Sequence, residues 1–328
     1  MNTKDMVLKI LEENREEYVS GEALASLLDI SRNGIWKAIK TLKDEGYLIE
    51  GVPSKGYMLK QETDIISSSG IKKYLSADKD FFDIKIFDEL KSTNDYLKTG
   101  DFKEGTVAIA KKQLKGKGRL GRSFYSPSDT GLYLSVLLKP DMEVSEAAII
   151  TALASVCVVE TIEELTGERA FIKWVNDVFF KDKKVSGILT EASMDLENNR
   201  LSYVILGIGV NLIYPEDGFP LEAKESAGAV FSKDVPYDLK NRFAAILLMK
   251  ILYHYKRIFL KEYMEKYRQR SMVLGKTVSI YKAGEFKGTG RALRIDDKAG
   301  LVVLRENGRE EVLNSGEVSV RRTEGIGK

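Results

Sequence analysis

Two β-like runs, Thr106–Lys111 and the alternating Leu132–Leu138, bracket the segment Gly116-Lys117-Gly118-Arg119-Leu120-Gly121-Arg122, which holds three glycines and three fixed cations. Its spacing formally matches Gly-x-Gly-x-x-Gly. It also comes within one residue of a P-loop, with Arg122 where a lysine would precede Ser123. Both motifs must open a helix whose N-terminus holds the phosphates. Here Gly121 leads through Arg-Ser-Phe-Tyr-Ser-Pro-Ser-Asp-Thr-Gly into a strand, so no helix follows and both readings fall. What is left is a basic, glycine-rich excursion between strands. Glycines let backbone N–H groups approach an anion closely, and guanidinium groups grip carboxylate or phosphate oxygens bidentately. The plainer alternative is a solvated hairpin tip.

The 328 residues are too many for one ordinary core and imply two or three domains. A 43% hydrophobic, 30% charged composition describes a globular protein rather than a disordered one. Lys and Arg number 51 against 49 Asp and Glu, so any nucleic-acid surface must be a local patch. Cys157, the single cysteine, excludes an intramolecular disulfide and lies in an apolar run where a buried small hydrophobe is expected. With His254 the single histidine, no zinc site of the usual Cys/His kind can be assembled. No secretory leader is read at the N-terminus, and no uninterrupted apolar run approaches a membrane span, so a cytoplasmic protein without a membrane partner is expected.

Residues 1–65 read as a DNA-binding domain. Met6, Ile10 and Leu11 fit one helix and Ala23, Leu24, Leu27 and Leu28 a second. After Asp29-Ile30, Ser31 can cap a third helix that carries Ile35, Ala38, Ile39 and Leu42 on one face. Its other faces present Arg32, Asn33, Trp36, Lys37 and Lys40. A short hairpin around Pro53-Ser54-Lys55-Gly56 follows as a wing. Two helices joined by a short turn, the second with exposed basic and amide groups, describe a winged helix-turn-helix with Ser31, Arg32, Asn33, Trp36, Lys37, Lys40 and Lys55 as candidate DNA contacts. A small helical interaction domain with a solvated charged face is the alternative. Gln61-Glu62-Thr63-Asp64 looks like a polar linker.

Residues 66–270 mix strands and helices. Strands are expected at 84–87, 106–111, 132–138, 170–174, 178–180, 185–191 and 201–209, and helices at 69–75, 94–97, 145–165 and 237–267. This pattern predicts α+β architecture, a mixed sheet covered on one face by helices. Residues 271–328 hold five short strands punctuated by Gly-containing turns, the texture of a small β-barrel.

Five ordered motifs accompany the glycine loop: Ser92-Thr93-Asn94; Gln113; Lys173-Trp174-Val175-Asn176-Asp177; Lys183-Lys184-Val185-Ser186-Gly187-Ile188-Leu189; and Gly207-Ile208-Gly209-Val210-Asn211. The series resembles the biotin–protein ligases. With the N-terminal segment, it is similar to their bifunctional branch, which also represses biotin-synthesis genes. The resemblance implies an α+β multidomain fold: a winged helix-turn-helix, a central mixed-sheet ligase domain and a C-terminal SH3-like barrel. It implies activation of biotin by ATP and Mg²⁺ to biotinyl-5′-AMP, then transfer to a lysine of a biotin carboxyl carrier protein. The adenylate would also act as corepressor on operator DNA, with a homodimer forming when it is bound. A biotin-sensing transcription factor without ligase activity, or a lipoate- or octanoate-handling relative, are the competing functions.

The same resemblance assigns residues. Ser92, Thr93, Asn94 and Gln113 would meet the ureido head of biotin, because a buried urea needs both donors and acceptors. Ser92 to Asn94 would also make a good helix cap. Gly116, Lys117, Gly118, Arg119 and Lys184 would contact biotin, and Gly207 and Gly209 would line its apolar slot. Arg119, Arg122, Phe124, Asn176 and Asn211 would hold ATP, joined by Glu317 and Arg321 from the terminal domain. Arg119, Arg122, Lys184 and Asp177 would carry the chemistry, since bringing two anions together requires positive charge. Asp177 would either ligate Mg²⁺ near the phosphates or orient the acceptor lysine. Three positions depart from the family pattern. Lys117 replaces an arginine and loses its fork, Phe124 replaces a tryptophan, and Val175 replaces a proline.

Overall fold

The computed structural model describes residues 2–75, 79–195, 197–232, 235–282, 284–314 and 317–320. Its contacts divide the chain into two compact units, Met1–Asp80 with Lys233–Met249, and Phe81–Ser232 with Lys250–Lys328.

The first unit opens with three helices, α1 (Thr3–Glu13), α2 (Gly21–Leu28) and α3 (Arg32–Asp44), followed by the hairpin β1 (Ile49–Val52) and β2 (Gly56–Leu59) and the short helix α4 (Ser68–Tyr74). Each of the first three helices starts where a side chain accepts an otherwise orphaned N–H. Asn2 accepts from Asp5, Ser20 from Ala23 and Ser31 from Gly34. Asp29, in the left-handed region at φ 52°, ends α2 and turns the chain into α3. The core is Val7, Leu8, Leu11, Leu24, Ile35, Ile39, Leu42 and Leu59. Two positions differ from the periodic reading. Val7 and Leu8 are buried where the periodicity predicts Met6, with Ile10 packed against them, and Leu27 is 70% exposed while Ala25 packs inward. A two-turn helix meets its neighbours over too short a stripe for every apolar position to be covered.

The supposed linker is anchored. Thr63 is buried, and Asp64 accepts from the backbone N–H of Lys240 at 2.9 Å. Arg15 donates to Glu12, to Asp238 and to the Thr63 carbonyl, and Tyr74 and Asn241 also donate to Asp238. Charges this deeply buried need such mutual pairing.

The second unit is built on a seven-stranded mixed sheet. Its strands are β3 (Asp83–Leu90), β4 (Thr106–Gln113), β5 (Gly131–Leu138), β6 (Phe171–Lys173), β7 (Asp177–Phe180), β8 (Lys183–Asp195) and β9 (Arg200–Asn211), in the order β3-β4-β5-β9-β8-β7-β6. Only β3 and β4 pair in parallel. Short α5 (Thr93–Lys98) lies on β4, β5 and β9, while α6 (Ala147–Thr166) covers β6 to β9. The sequence Val144–Thr166 is apolar and long enough to cross a membrane, contrary to the expectation from its run of residues, yet 72% of its most apolar window is buried within the protein. It is the core helix.

The long helix expected over 237–267 is instead α7 (Leu239–Tyr255) and α8 (Tyr263–Gln269), separated by a short turn at Ile258–Leu260 and by Lys261 at φ 55°. Phe259 and Leu260 in that turn are each 65% exposed, so their apolar character marks no helix face. The last five strands, β10 (Thr277–Lys282), β11 (Glu285–Ile295), β12 (Leu301–Arg305), β13 (Glu310–Leu313) and β14 (Glu317–Val320), form an antiparallel sheet in the order β13-β12-β11-β10-β14, compatible with the expected small barrel.

Candidate functional sites

Strand register builds the floor of the first site. Ser135 pairs with Gly207, Tyr133 with Gly209, Gly187 with Gly209, Leu189 with Gly207, and Glu191 with Ile205. With a side-chain period of two, these residues share one face, and Thr190 on the opposite face meets Thr151 of α6. The glycines leave this face flat at its centre. A Cβ on Gly207 would stand 2.2 Å from Asn94 Oδ1, and one on Gly209 would stand 2.5 Å from the ring of Phe124.

Over that floor lies a narrow slot of about 20 Å³. It is lined by Ser92, Thr93, Asn94 and Gln113 among others, and Phe124 closes one side. Ser92 caps α5 by accepting from Asp95 N, so the capping role read from the sequence is present. Gln113 Oε1 accepts from Thr93 N at 2.9 Å, and Gln113 Nε2 donates to Ser126. Lys117 reaches to Asp95 at 2.6 Å, and that hydrogen bond raises its pKa.

The glycine loop folds back on itself with no helix behind it. Gly118 N donates to Arg122 O, Phe124 N donates to Gly116 O, and a single 3₁₀ turn spans Arg119–Gly121. Two of its glycines have local causes. A Cβ on Gly116 would lie 2.4 Å from Phe124 O, and Gly121 has φ 75°. Gly118 is extended, and its closest neighbour would be 3.4 Å away.

Beside the slot opens a cleft of about 440 Å³, with Phe124 as the shared wall. Its rim carries five cations, Lys117, Arg119, Arg122, Lys173 and Lys184, against Asp177 as the one carboxylate among the described lining residues. Such imbalance in a concave site suits a polyanion. Lys184 lies on β8, and its Nζ is 2.8 Å from Asp177 Oδ1. Arg119 donates to Asn176 Oδ1 at 3.0 Å, while Asn176 Nδ2 donates to the Ile188 carbonyl. Among the described residues no group of three or more His, Cys, Asp or Glu side chains could hold a metal. Asp177 alone offers Mg²⁺ one protein carboxylate, the kind of partial set this ion accepts when phosphate oxygens complete its shell.

The Lys173–Asp177 turn is held from three directions that sequence could not reveal. Trp174 Nε1 donates to Ala299 O at 2.9 Å, Tyr267 Oη donates to Val175 O at 2.8 Å, and Ile172 exchanges backbone bonds with Arg270 and Met272. Burial drives the Tyr267 phenol pKa far upward, so it stays a donor. Asn211 stands away from the cleft lining and donates to Gly228 O, in a segment whose Ser226 carbonyl receives Lys184 N. Lys173 and Tyr281 line the cleft although neither was singled out. Lys173 carried a signal, being the first residue of its motif; Tyr281, more than 90 residues away, carried none. Glu317 heads β14, but its side chain and all of Arg321 lie outside the described residues.

In the first unit Arg32, Asn33, Trp36, Lys37 and Lys40 are all exposed on α3, as are Ser31 and the wing residue Lys55. Trp36 is 52% exposed, with the Lys40 ammonium 5.7 Å from its ring centroid. Lys55 stands over Tyr18, and Arg32 pairs with Glu22 at the surface.

Residues 86–211 match the biotin/lipoate A/B protein ligase family, and residues 4–58 match an HTH domain. Over 323 residues the chain is 31% identical to the bifunctional ligase/repressor BirA of Bacillus spizizenii, covering 95% of this chain and 97% of that protein. Its Bacillus subtilis counterpart is 33% identical over 315 residues, covering 93% and 94%. The solved biotin protein ligase from Aquifex aeolicus in complex with biotin and ATP is 30% identical, with a TM-score of 0.61 over 73% of this chain and 99% of that one. The chain belongs to the bifunctional ligase/repressor family of biotin–protein ligases.

Proposed function

We propose that the second unit joins biotin to a carrier protein through an adenylate, and that the first unit uses the same adenylate as a signal to bind operator DNA. In the first step a biotin carboxylate oxygen attacks the α-phosphorus of ATP, and the bond to pyrophosphate breaks. In the second, a lysine amine of the carrier attacks the biotinyl carbonyl, loses a proton and displaces AMP. The five-cation rim beside a glycine-floored slot carries this reading, because the first step brings two anions together and needs fixed positive charge.

Lys184 holds the biotin carboxylate and then the α-phosphate, with Asp177 setting the ammonium in place. Arg119 and Arg122 hold the phosphates. Gly118, the glycine without a local cause, lets backbone approach the ligand. Mg²⁺, when bound with ATP, neutralises phosphate charge, and Asp177 would be its protein ligand. The slot as it stands is too small for a bicyclic ring, so biotin enters as Phe124 swings off Gly209 and covers the adenylate from above.

Lys184→Gln should cut biotin-dependent pyrophosphate release by at least a hundredfold with an unchanged thermal midpoint, while pre-made biotinyl-5′-AMP partly restores transfer. An unimpaired release rate would remove Lys184 from the chemistry. For the DNA arm, α3 enters the major groove through Ser31, Arg32, Asn33, Trp36, Lys37 and Lys40, and the wing Lys55 meets phosphate. One such unit reads a half-site, so adenylate-linked pairing of two copies supplies the second. A footprint titration should give tighter operator protection with ATP plus biotin than without. Equal affinity in both would leave the ligase and defeat the corepressor. A protein that uses ATP and binds operator DNA would work in the cytoplasm, which supports the cytoplasmic reading.

A further inference from the structure

Asn94 sits at the wall of the slot, yet its hydrogen-bonding groups face the protein. Its Nδ2 donates to Glu191 Oε2 at 2.7 Å and to Leu189 O at 3.4 Å, and its Oδ1 lies 2.5 Å from the Ser135 hydroxyl. The other oxygen of Glu191 accepts from Lys98 at 2.6 Å. Ser135 and Asn94 are 0% and 3% exposed, so solvent cannot take the place of either in the bond between them.

Donor and acceptor chemistry then sets a direction through the cluster. A carboxylate paired with a lysine only accepts, so Asn94 must face Glu191 with its nitrogen, and its amide cannot flip. The Oδ1 it turns to Ser135 only accepts, so the one proton of Ser135 points there. Thr93 Oγ1 lies 2.7 Å from Ser135 Oγ and 3.2 Å from Gln113 Oε1. Both neighbours are left as acceptors, so the Thr93 proton is committed to the protein whichever it chooses. Thr93 lines the slot, where the oxygen can still accept.

We propose that Glu191 and Ser135 are positioning residues that fix Thr93 Oγ1 as an acceptor, selecting a ligand that brings an N–H donor, such as a cyclic urea, to this wall. The inference rests on the reading that Thr93 meets the ureido head. Replacing the carboxylate by an amide releases the polarity. Asn94 can flip, its nitrogen can donate to Ser135, Ser135 can donate to Thr93, and the Thr93 proton can turn into the slot against the ligand N–H.

The test measures pyrophosphate release by the full chain with biotin and with desthiobiotin, which keeps the urea. Thr93→Val probes the underlying reading and should raise KM for both ligands at least tenfold. If it leaves them within twofold, the ureido assignment is wrong and the inference goes with it. Given that rise, Glu191→Gln, which likewise retains the Gln113 acceptor, should raise both KM values a few-fold. It should leave kcat and the KM for ATP within twofold, and add little in the Thr93→Val background. Ser135→Ala, which retains the Gln113 acceptor, should give a rise of a few-fold in the same pattern and carries the test should Glu191→Gln unfold. A KM for biotin within twofold of the parent, or parallel losses for biotin and ATP, would overturn the positioning role.

Discussion

At the scale of single residues, the cleft is marked by its cations. Arg119 is the most informative cation because its guanidinium is already tethered to Asn176, and Asn176 to the Ile188 carbonyl. The fork is therefore preorganised, and little rotamer freedom remains to be lost on binding. Arg119→Ala should weaken hold on biotinyl-5′-AMP by about 1.5–3 kcal/mol, the scale of a hydrogen bond to a charged group. The measurement is the rate at which labelled adenylate escapes from the enzyme; escape at the parental rate would remove Arg119 from the ligand. The sequence made Arg119 legible because a fixed cation between glycines has a narrow range of uses. Its tether was not legible, since Asn176 is 57 residues away.

At the scale of elements, strand register and helix packing shape the candidate site. Register alone brings Gly187, Gly207 and Gly209 to one face, so a flat slot is a consequence of pairing β8 with β9. Behind them, α6 is locked to α7 and α8 by Glu160 with His254 and by Glu163 with Arg270 and Lys266. Burial pushes both carboxyl pKa values upward, but for Glu163 the bonds to Arg270 and Lys266, and for Glu160 the bond to His254 with neighbouring lysines, outweigh it and hold both below the ordinary range. A depressed folded-state pKa contributes stability that is present above the unfolded value and lost as pH falls through the folded one. Stability should therefore decline with acidification below the ordinary carboxylate range. Glu163→Gln should flatten that decline in a series of thermal midpoints measured from neutral to acidic pH.

At the scale of the whole molecule, the segment read as a polar linker lies inside the first unit, bonded there to residues 233–249. Removing residues 1–65 should abolish operator binding while biotin-dependent pyrophosphate release survives. The cut also strips Arg15 from Asp238 and removes Asp64 from Lys240. Breaking a buried pair by taking one partner costs about 3–5 kcal/mol, here softened by Tyr74 and Asn241, which still donate to Asp238. The truncated protein should thus remain active but melt several degrees lower, a loss that Asp238→Asn should partly reverse. A truncated protein with the parental midpoint would mean these contacts contribute nothing. Within the second unit, Trp174 and Tyr267 tie the Lys173–Asp177 turn to the terminal sheet and to α8, so damage there should read out as lost activity.

The parts of the fold whose causes are local can be read from the chain alone. The caps at Ser20 and Ser31, the α3 stripe from Ile35 to Leu42, the strands around the glycine loop and the missing helix behind it follow from neighbours a few residues apart. The ordered motifs also identified the ligase chemistry. Tertiary structure decided what depends on residues far apart in the chain. It placed Val7 and Leu8 rather than Met6 in the core, broke one long helix into α7 and α8, and buried the Val144–Thr166 helix inside the protein. It also turned Asn94 toward Ser135 and Glu191, 41 and 97 residues away. Periodicity reports which face of an element is apolar, but only packing reports what covers that face and which polar groups must find partners beneath it.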